Sequence, residues 1–458
     1  MFYFRKKELD KLKSFYESSN NKVMSIYGRR RVGKTELILY FLQSLDEKIY
    51  IYFQVTTSSY YNSLESFKND IQRIIGENSI LVSLNSFKDV ISYLSEITKG
   101  KFLIVIDEFP LLCKRDENVI SEFQWIIDHG LKGMKMILLG SNLSFMKHQI
   151  NYIESPLYGR FDEMMEILPF TFEEVHELFP KYNDAMDVYS CTGGVAQYVM
   201  FFNGSKNVQK TRNELLFNRD GRLFIEPENL LMQEFRDYTT YQMILQAIGG
   251  SEKDTVAISK VSGVETKSIM FYINKLIDLE IVEPVENVFS KKRREQRFRI
   301  KDLMYRFYYT FIYQNISTIT VLGESSADYI LKDNYNEYLG IVYEDIVRRN
   351  LYFYALEGKI PFMPMKTGKW WGNVCENGVW SQTEIDVIAY DDENIIVGEC
   401  KHRNKIVGIN ELELLKLKAS SLPIEGRNVY YLLASKKGFT KEISNQNNLI
   451  LIQDDSVI

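Results

Sequence analysis

A glycine-rich loop near the amino end constrains this chain more than any other feature. Residues Gly28–Thr35 complete the pattern G-x-x-x-x-G-K-[ST], with an apolar run, Val23–Tyr27, before it and a helical pattern, Glu36–Leu42, after it. This setting suits a phosphate group, because backbone N–H groups of the loop and of the helix N-terminus can surround it. Lys34 is expected to approach the β- and γ-phosphates, and the Thr35 hydroxyl is expected to ligate Mg²⁺. The predicted nucleotide-binding residues are Gly28, Arg29, Arg30, Arg31, Val32, Gly33, Lys34, Thr35 and Glu36.

Two adjacent carboxylates follow a second predicted strand. The run Phe102–Ile106 is continuously apolar and leads directly into Asp107 and Glu108. Continuous apolarity is typical of a central parallel strand that is buried on both faces, and ligands bind at the carboxyl ends of such strands. Asp107 is therefore expected to hold Mg²⁺, and Glu108 to orient or deprotonate the attacking water.

A polar pair follows the next predicted strand, Lys135–Gly140. Asn142, or its neighbour Ser141, is predicted to contact the γ-phosphate or the hydrolytic water. The alternative is that the pair only caps the following helix, since Ser and Asn are common N-cap residues.

Composition excludes several classes of protein. The 458 residues suit about three domains, and a net charge of −5 gives no global basic footprint, so any nucleic-acid contact must come from local patches. The four cysteines, Cys113, Cys191, Cys375 and Cys400, include no C-x-x-C pair, which argues against a zinc site and a disulfide framework. No run approaches the ~18 apolar residues of a membrane span, and no signal-peptide pattern opens the chain. A cytoplasmic protein without membrane contact is expected.

Several motifs resemble those of the archaeal-type AAA+ (STAND-related) ATPase family. Ser155–Arg160 reads SPLYGR, Leu168–Phe170 reads LPF, and Thr192–Tyr198 reads TGGVAQY, with Ala196 where that family usually has proline. The segment Phe4–Leu9 is similar to the family's amino-terminal stretch near the adenine. The resemblance covers about half of the chain.

The resemblance implies that the nucleotide is ATP and that a helical lid follows the core. It also makes Arg160 a candidate γ-phosphate sensor or arginine finger, because a planar cation can neutralise charge that develops on the transferred phosphoryl group. A structural salt bridge is the alternative role for Arg160.

The middle of the chain reads as a winged helix. The predicted elements are helices at Tyr241–Ile248, Val256–Val261 and Thr266–Leu279, then strands at Ile281–Pro284 and Arg297–Ile300. The third helix is the candidate for the major groove of DNA, and the basic run Lys291–Arg294 in the hairpin is the candidate for phosphate contacts. The alternatives are a structural spacer and a basic run that only faces solvent.

The C-terminal part contains a second group of charged residues. Glu384–Tyr390 alternates in polarity, a short turn follows, and Ile395–Lys401 is a second apolar run, which predicts a β-hairpin in which Asp386 faces Glu399. Glu399 and Lys401 project to the same face of one strand. The two carboxylates could hold a divalent cation, and Lys401 could activate water or stabilise a pentavalent phosphate. The alternative is a cross-strand ladder of ion pairs in which Glu384 faces Lys401.

This D…E-x-K group resembles the PD-(D/E)xK restriction-endonuclease-like superfamily. Glu344 is similar to the acid on that fold's first helix, which implies a third metal ligand beside Asp386 and Glu399. ATPases of the family above frequently end in such a domain. Trp370, Trp371 and Trp380 lie just before the hairpin and are expected to form its core or, alternatively, to stack on bases.

These observations together predict an α/β protein with a P-loop AAA+ parallel-sheet core, a helical lid, a winged helix-turn-helix domain and a C-terminal α/β restriction-endonuclease-like domain. The predicted boundaries are 1–167, 168–234, 235–315 and 316–458, the last with its core from about 335. The predicted function is that of an Mg²⁺-dependent ATPase that couples nucleotide state to a DNA-directed nuclease-like module. The alternative is an ATP-switched regulatory protein whose nuclease-like domain is an inactive docking surface. A homo-oligomer is compatible with the sequence, which leaves the oligomeric state open.

Overall fold

The chain divides into two compact units. The computed structural model describes residues 3–20, 22–45, 50–57, 59–99, 102–114, 116, 118–290, 296–376, 378–424 and 426–453. One unit comprises Met1–Phe170 and Val195–Met200, and the other comprises Thr171–Gly194 and Phe201–Ile458.

The regular elements are numbered in chain order. The strands are β1 (Val23–Tyr27), β2 (Tyr50–Gln54), β3 (Leu103–Asp107), β4 (Lys135–Gly140), β5 (Glu163–Glu166), β6 (Val282–Val285), β7 (Arg297–Ile300), β8 (Lys366–Glu376), β9 (Val379–Tyr390), β10 (Asn394–Lys401), β11 (Asn428–Ser435) and β12 (Leu449–Gln453). The α-helices are α1 (Lys6–Glu17), α2 (Lys34–Gln43), α3 (Tyr60–Ile75), α4 (Ser79–Ser83), α5 (Phe87–Ile97), α6 (Phe109–Cys113), α7 (Asn118–Trp125), α8 (Leu143–Asn151), α9 (Phe172–Leu178), α10 (Tyr182–Thr192), α11 (Ala196–Met200), α12 (Val208–Leu216), α13 (Glu226–Glu234), α14 (Tyr238–Ile248), α15 (Thr255–Ser262), α16 (Thr266–Asp278), α17 (Leu303–Phe307), α18 (Ile316–Leu322), α19 (Ser326–Leu331), α20 (Tyr335–Leu356) and α21 (Ile409–Ala419). Single π-helical turns span Ile126–Gly130 and Tyr308–Ile312.

A five-stranded parallel sheet forms the centre of the first unit. Its strand order is β2-β3-β4-β1-β5. Strand β3 is buried along its whole length, as its continuous apolar sequence predicts for a central parallel strand. Alternate residues of β3 enter two different hydrophobic clusters: Ile104 and Ile106 pack with Phe67 and Phe87, whereas Val105 packs with Leu37. The sheet is therefore covered on both faces, and the predicted P-loop core is confirmed.

The second unit begins with helices and continues into a winged helix. Helices α14, α15 and α16 precede β6 and β7, which pair as an antiparallel hairpin. We call α14–α16 with this hairpin the winged-helix module. In α16 the buried residues are Ile269, Ile273 and Leu276, as the predicted helical face requires. The basic run Lys291–Arg294 lies outside the described residues, so its predicted phosphate contacts stay a prediction.

The C-terminal part of the second unit is a mixed five-stranded sheet with the order β12-β11-β10-β9-β8. Strands β8, β9 and β10 pair antiparallel, and β10, β11 and β12 pair parallel. Helix α20 precedes the sheet and packs on β9 and β10, while α21 connects β10 to β11. The order of elements is therefore helix, three strands, helix, two strands.

Among the residues that the structure describes, no helix is both long enough and apolar enough to cross a membrane.

Candidate functional site

The phosphate loop joins the end of β1 to the start of α2. Gly33 has φ +95° and stands at the N-cap of α2, a left-handed conformation that glycine adopts without strain. Gly28 has φ +155°, and a Cβ atom there would overlap the carbonyl oxygen of Ile167. Gly33 is thus required by its backbone conformation, and Gly28 by the lack of space for a side chain. The loop can therefore direct its N–H groups toward a ligand at the helix N-terminus.

Lys34 is buried within this loop. Its Nζ donates hydrogen bonds to the carbonyl oxygens of Gly28 (2.8 Å) and Arg29 (2.9 Å). Burial lowers the pKa of Lys34 to about 8, against the opposing effect of the Glu108 and Asp107 carboxylates. Phosphate oxygens would supply a buried ammonium with both acceptors and opposite charge, so the position fits the predicted phosphate contact.

The Asp107 carboxylate lies at the end of β3 and receives three hydrogen bonds. Its Oδ2 accepts from Thr35 Oγ1 (2.7 Å) and from the Tyr52 hydroxyl (2.8 Å), and its Oδ1 accepts from the backbone N–H of Glu108 (2.8 Å). Burial, together with Asp107, raises the pKa of Tyr52, so this phenol stays a donor at neutral pH. The hydroxyl of Thr35 and the carboxylate of Asp107 are oxygen ligands of the kind that Mg²⁺ binds, and their contact fits the predicted metal site.

Sequence reasoning missed Tyr52. In the structure β2 and β3 are neighbouring parallel strands, and Tyr52 lies two residues before Gln54, the partner of Asp107 in the register. The strand order that makes them neighbours was not predicted from the sequence.

Glu108 follows Asp107 in a left-handed conformation, with φ +58°. Both carboxylate oxygens accept from the Ser141 hydroxyl at 2.8 Å. Asn142, the predicted sensor, accepts from the backbone N–H of Phe145 (2.8 Å) and so caps α8. The structure therefore joins Glu108 to Ser141, the other residue of the predicted pair.

Arg160 is engaged with a carboxylate on its own unit. Its Nε and Nη2 donate to Asp128, at 2.9 Å and 3.0 Å. This is the salt bridge that the sequence left open as the alternative to a sensor.

The remaining predicted nucleotide-binding residues line the same turn. Val32 is fully buried in the core beside α2. The Arg31 side chain donates to Gln197 (3.2 Å) and lies over the Tyr198 ring at 5.7 Å. Gln197 and Tyr198 belong to the TGGVAQY segment, so this motif contacts the phosphate loop. Arg29, Arg30 and Glu36 lie within the same Gly28–Gln43 loop and helix.

The Arg5 guanidinium, which sequence reasoning did not assign to the site, ties the chain's start to this loop. It donates to the carbonyl oxygens of Val32 (3.1 Å) and Leu168 (2.7 Å) and lies over the Phe170 ring at 4.9 Å. Arg5 thereby connects the Phe4–Leu9 and Leu168–Phe170 motifs to the phosphate loop.

The C-terminal hairpin has the predicted register. The β9–β10 ladder pairs Ile395 with Tyr390 and continues to Gly398 with Val387. Asp386 and Glu399 are the next positions in that register. Asp386 Oδ2 accepts from the backbone N–H of Cys400 at 2.9 Å. Burial, with the nearby Glu344 and Glu399 carboxylates, raises the pKa of Asp386 to about 7.

Lysines hold the Glu399 carboxylate. Lys401 Nζ donates to Oε2 at 2.6 Å, and Lys418 of α21 donates to Oε1. Lys418 was missed by sequence reasoning, because it lies on a helix that only the folded sheet brings close. The predicted ion-pair ladder is not what forms, since the Glu384 carboxylate contacts Arg297 at 3.2 Å while Lys401 contacts Glu399.

Glu344 of α20 is held by other cations. It lies 3.0 Å from Lys369 and 3.6 Å from Arg348. Within the described part of the chain, no group of three or more His, Cys, Asp or Glu side chains could hold a metal ion. The structure thus brings Asp386, Glu399 and Lys401 together but does not add Glu344 to them as a ready third metal ligand.

The parallel sheet, the loop after β1 and the acids after β3 define a P-loop nucleotide-binding protein. Residues 2–202 match the model of an ATPase domain found predominantly in Archaea, and residues 308–414 match a family described as archaeal and bacterial proteins of unknown function. An uncharacterized protein of Methanocaldococcus jannaschii is 30% identical over 463 residues, which cover 96% of this chain and 97% of that protein. The chain belongs to the same family as this archaeal protein, and its amino-terminal part is an ATPase domain of the archaeal type.

One solved structure with a TM-score above 0.5 supports the fold. The Walker-type ATPase of Pyrococcus abyssi has a TM-score of 0.52 and 18% identity, over 67% of this chain and 96% of that chain. The ORC2 protein of Aeropyrum pernix has a TM-score of 0.44 and 12% identity, over 69% of this chain and 94% of that chain. The resemblance of the C-terminal sheet to nucleases stays a prediction.

Proposed function

We propose that this protein is an Mg²⁺-dependent ATPase whose C-terminal sheet is a nuclease-like module directed at DNA. The observation that supports the first part best is the continuous contact from Thr35 to Asp107 and from Glu108 to Ser141 at the carboxyl ends of adjacent strands. The Thr35 hydroxyl and the Asp107 carboxylate supply two oxygen atoms for a metal ion, and the Ser141 hydroxyl orients the Glu108 carboxylate.

Each residue of this group has a distinct task in hydrolysis. Lys34 would neutralise negative charge on the β- and γ-phosphates, while Thr35 and Asp107 would hold Mg²⁺, which would supply further positive charge at the phosphates. Glu108, fixed by Ser141, orients the attacking water and accepts its proton. The pKa of Lys34, lowered by burial, rises when phosphates approach, so binding the nucleotide takes up a proton near pH 8.

Lys34→Ala tests the ATPase assignment. We expect it to abolish ATP hydrolysis and ATP binding measured by calorimetry, whereas Lys13→Ala, at an exposed position of α1, should leave both unchanged. Hydrolysis by Lys34→Ala at the rate of the unmodified protein would contradict the proposal.

The nuclease-like part of the proposal is supported by topology and chemistry together. The order α20, β8, β9, β10, α21, β11 places Asp386 and Glu399 on neighbouring strands, with Lys401 two residues beyond Glu399 on the same strand. In such a site the two carboxylates would hold a divalent cation, which lowers the pKa of its bound water. Lys401 would position that water or stabilise the pentavalent phosphate.

The second candidate function is an inactive docking module. It is favoured by the cations that already hold each acid: Lys401 and Lys418 on Glu399, and Lys369 and Arg348 on Glu344. Each protein cation competes with a metal ion for the same oxygens.

DNA cleavage separates the two candidates. If the C-terminal sheet is a nuclease, the protein should cleave DNA in the presence of Mg²⁺ or Mn²⁺. Asp386→Asn and Lys401→Met should abolish this cleavage. Lys437→Ala, the control at an exposed position, should retain it. Absence of cleavage on single-stranded, duplex and branched DNA by pure protein would favour docking.

A further inference from the structure

A cavity lies beside Lys401 within the second unit and is built from two modules. Its volume is about 600 Å³. One wall is formed by Lys401 and Glu344 of the C-terminal part, and the other by Glu252 and Arg297 of the winged-helix module. The winged-helix module therefore borders the space onto which Lys401 and Glu344 open.

Ion pairs connect the two walls. Lys369 lies 3.0 Å from Glu344 and 3.3 Å from Glu252, so one ammonium joins a residue of α20 to a residue of the winged-helix module. Arg297 of β7 lies 3.2 Å from Glu384 and 3.9 Å from Glu252, and its guanidinium stands 4.4 Å from the centre of the Trp371 ring.

The backbone fixes the same wall in place. The N–H of Val288 donates to the carbonyl oxygen of Lys369 (3.0 Å), and the Asn287 side chain donates to that of Trp371 (2.6 Å). Val288 itself is buried in the hydrophobic core of the C-terminal sheet. The segment that follows β6 is thus attached to strand β8 at the edge of the sheet, and the wall is part of the same folded structure as the candidate site.

The size of the cavity limits what can reach Lys401. A sphere of that volume is about 10 Å across, whereas a B-DNA duplex, whose two grooves are roughly 8.5 Å and 7.5 Å deep, is more than about 16 Å thick. The volume lies in the range of roughly 300–1,000 Å³ that is typical of sites for small organic ligands. A few nucleotides of an unpaired strand match this size, whereas a duplex is too thick to lie inside the cavity.

The charges of the lining suit a phosphodiester chain. Arg297, Lys369, Lys401 and Arg403 all contribute to the lining, and Arg403 and Lys401 are partly exposed. Lys401 is paired with the buried Glu399, and Lys369 and Arg297 are paired with Glu252 of the cavity wall, so a phosphate would compete with these carboxylates for the cations. The Arg297 guanidinium, which lies over the Trp371 ring, adds a planar cation in the lining on which an unpaired base can stack.

We propose that this cavity binds a single-stranded segment of DNA, with the winged-helix module as the wall that excludes duplex. The inference rests on the proposed nuclease-like function of the C-terminal sheet and specifies its substrate class. In hydrolysis there, the oxygen of a water bonds to phosphorus, the P–O bond to one side of the strand breaks, and the departing oxygen takes a proton.

Binding in the absence of divalent metal tests the inference without cleavage. The probes are a fluorescein-labelled 12-nucleotide single strand and a blunt duplex of the same sequence, followed by fluorescence anisotropy with the full-length protein. We expect the single strand to bind at least tenfold more tightly than the duplex, and Arg297→Ala and Lys401→Ala each to weaken single-strand binding about tenfold. Arg297→Lys, which keeps the charge, should recover part of the loss.

Lys210→Ala is the matched control, because Lys210 is an exposed cation of the same unit that lies outside the cavity lining. Equal affinity for duplex and single strand, or single-strand binding that Arg297→Ala and Lys401→Ala leave unchanged, would overturn the inference.

Failure of this inference can be distinguished from failure of the proposed nuclease function. If the protein cleaves the interior of a duplex with Mn²⁺, the nuclease assignment stands and this inference fails. If it binds the single strand through Arg297 and Lys401 but cleaves no DNA, the inference stands and the nuclease assignment fails.

Discussion

Tyr52 lies outside the sequence motifs of the ATPase site but contacts one of its central residues. Its hydroxyl shares Asp107 Oδ2 with Thr35 and donates from the neighbouring strand at 2.8 Å. If Thr35 turns its oxygen to Mg²⁺, as proposed above, Tyr52 would still hold the carboxylate in place. Tyr52 would then position the proposed metal site without touching phosphate.

Tyr52→Phe removes this hydrogen bond while keeping the ring. The Mg²⁺ concentration for half-maximal ATP hydrolysis should rise on the order of tenfold, since a hydrogen bond to a charged group contributes roughly 1.5–3 kcal/mol. A metal titration at saturating ATP measures it. Tyr61→Phe, at an exposed position, is the control and should match the unmodified protein. If Tyr52→Phe needs the same Mg²⁺ concentration for half-maximal hydrolysis, the hydrogen bond from Tyr52 to Asp107 does not contribute to Mg²⁺ binding.

His402 gives a prediction about pH. Its ring lies against those of Tyr343 (5.5 Å) and Tyr182 (6.1 Å), and burial, with a smaller effect of Lys436, lowers its pKa to about 4. The unfolded chain, with a histidine pKa of roughly 6.5, therefore binds more protons between pH 4 and 6.5, and the free energy of unfolding falls as pH decreases through that window.

His402→Gln should remove this dependence. The difference in the free energy of unfolding between the unmodified protein and the variant should change by up to about 3 kcal/mol between pH 7 and pH 4. Urea unfolding across that range measures it, and the comparison cancels titration of other groups such as Asp386. His129→Gln, at an exposed position, is the matched control for replacing a histidine by glutamine.

At the scale of elements, the Asp345 carboxylate fastens α20 to the winged-helix module. It accepts from Arg299 of β7 (2.7 Å), from Arg306 of α17 (3.0 Å) and from Arg348 one turn along α20. These guanidinium groups hold the pKa of Asp345 well below its usual range despite burial. A buried charge with this many partners is costly to remove, because several cations are left uncompensated.

Asp345→Asn should therefore destabilise the second unit by about 3–5 kcal/mol, the cost typical of breaking a buried ion pair. Because the depressed pKa keeps the carboxylate charged, its contribution is present above the pKa of an unfolded aspartate and is lost only in strong acid. The loss in the variant should thus be constant between about pH 5 and pH 8 in urea unfolding. Asp328→Asn, at an exposed position of α19, should cost less than about 0.5 kcal/mol.

Pairing within one hairpin could be predicted from the sequence, whereas contacts between separate elements could not. The β9–β10 register followed from the short turn, because the position of a hairpin turn decides which residues of the two strands face each other. The contacts of Arg160 with Asp128 and of Glu399 with Lys418 could not be predicted this way. Both join separate elements whose relative placement depends on tertiary packing.

For the whole molecule, two compact units predict two thermal transitions, since each has its own sheet and hydrophobic core. Mg²⁺ and ATP at about 100 times the dissociation constant should stabilise the unit that contains Lys34 by about 2.7 kcal/mol. For a unit of this size that corresponds to a rise in Tm of roughly 5–10 °C. Differential scanning calorimetry measures both transitions in one experiment.

Variants assign each transition to its unit. Lys34→Ala should abolish the shift caused by ATP and leave the other transition in place, whereas Asp345→Asn should lower only the transition that ATP does not move. Lys210→Ala should change neither. A single transition that ATP raises as a whole would show that the two units unfold together, and the binding energy of the nucleotide would then stabilise the C-terminal sheet directly. That result would contradict independent unfolding and would make nucleotide binding a determinant of the second unit's stability.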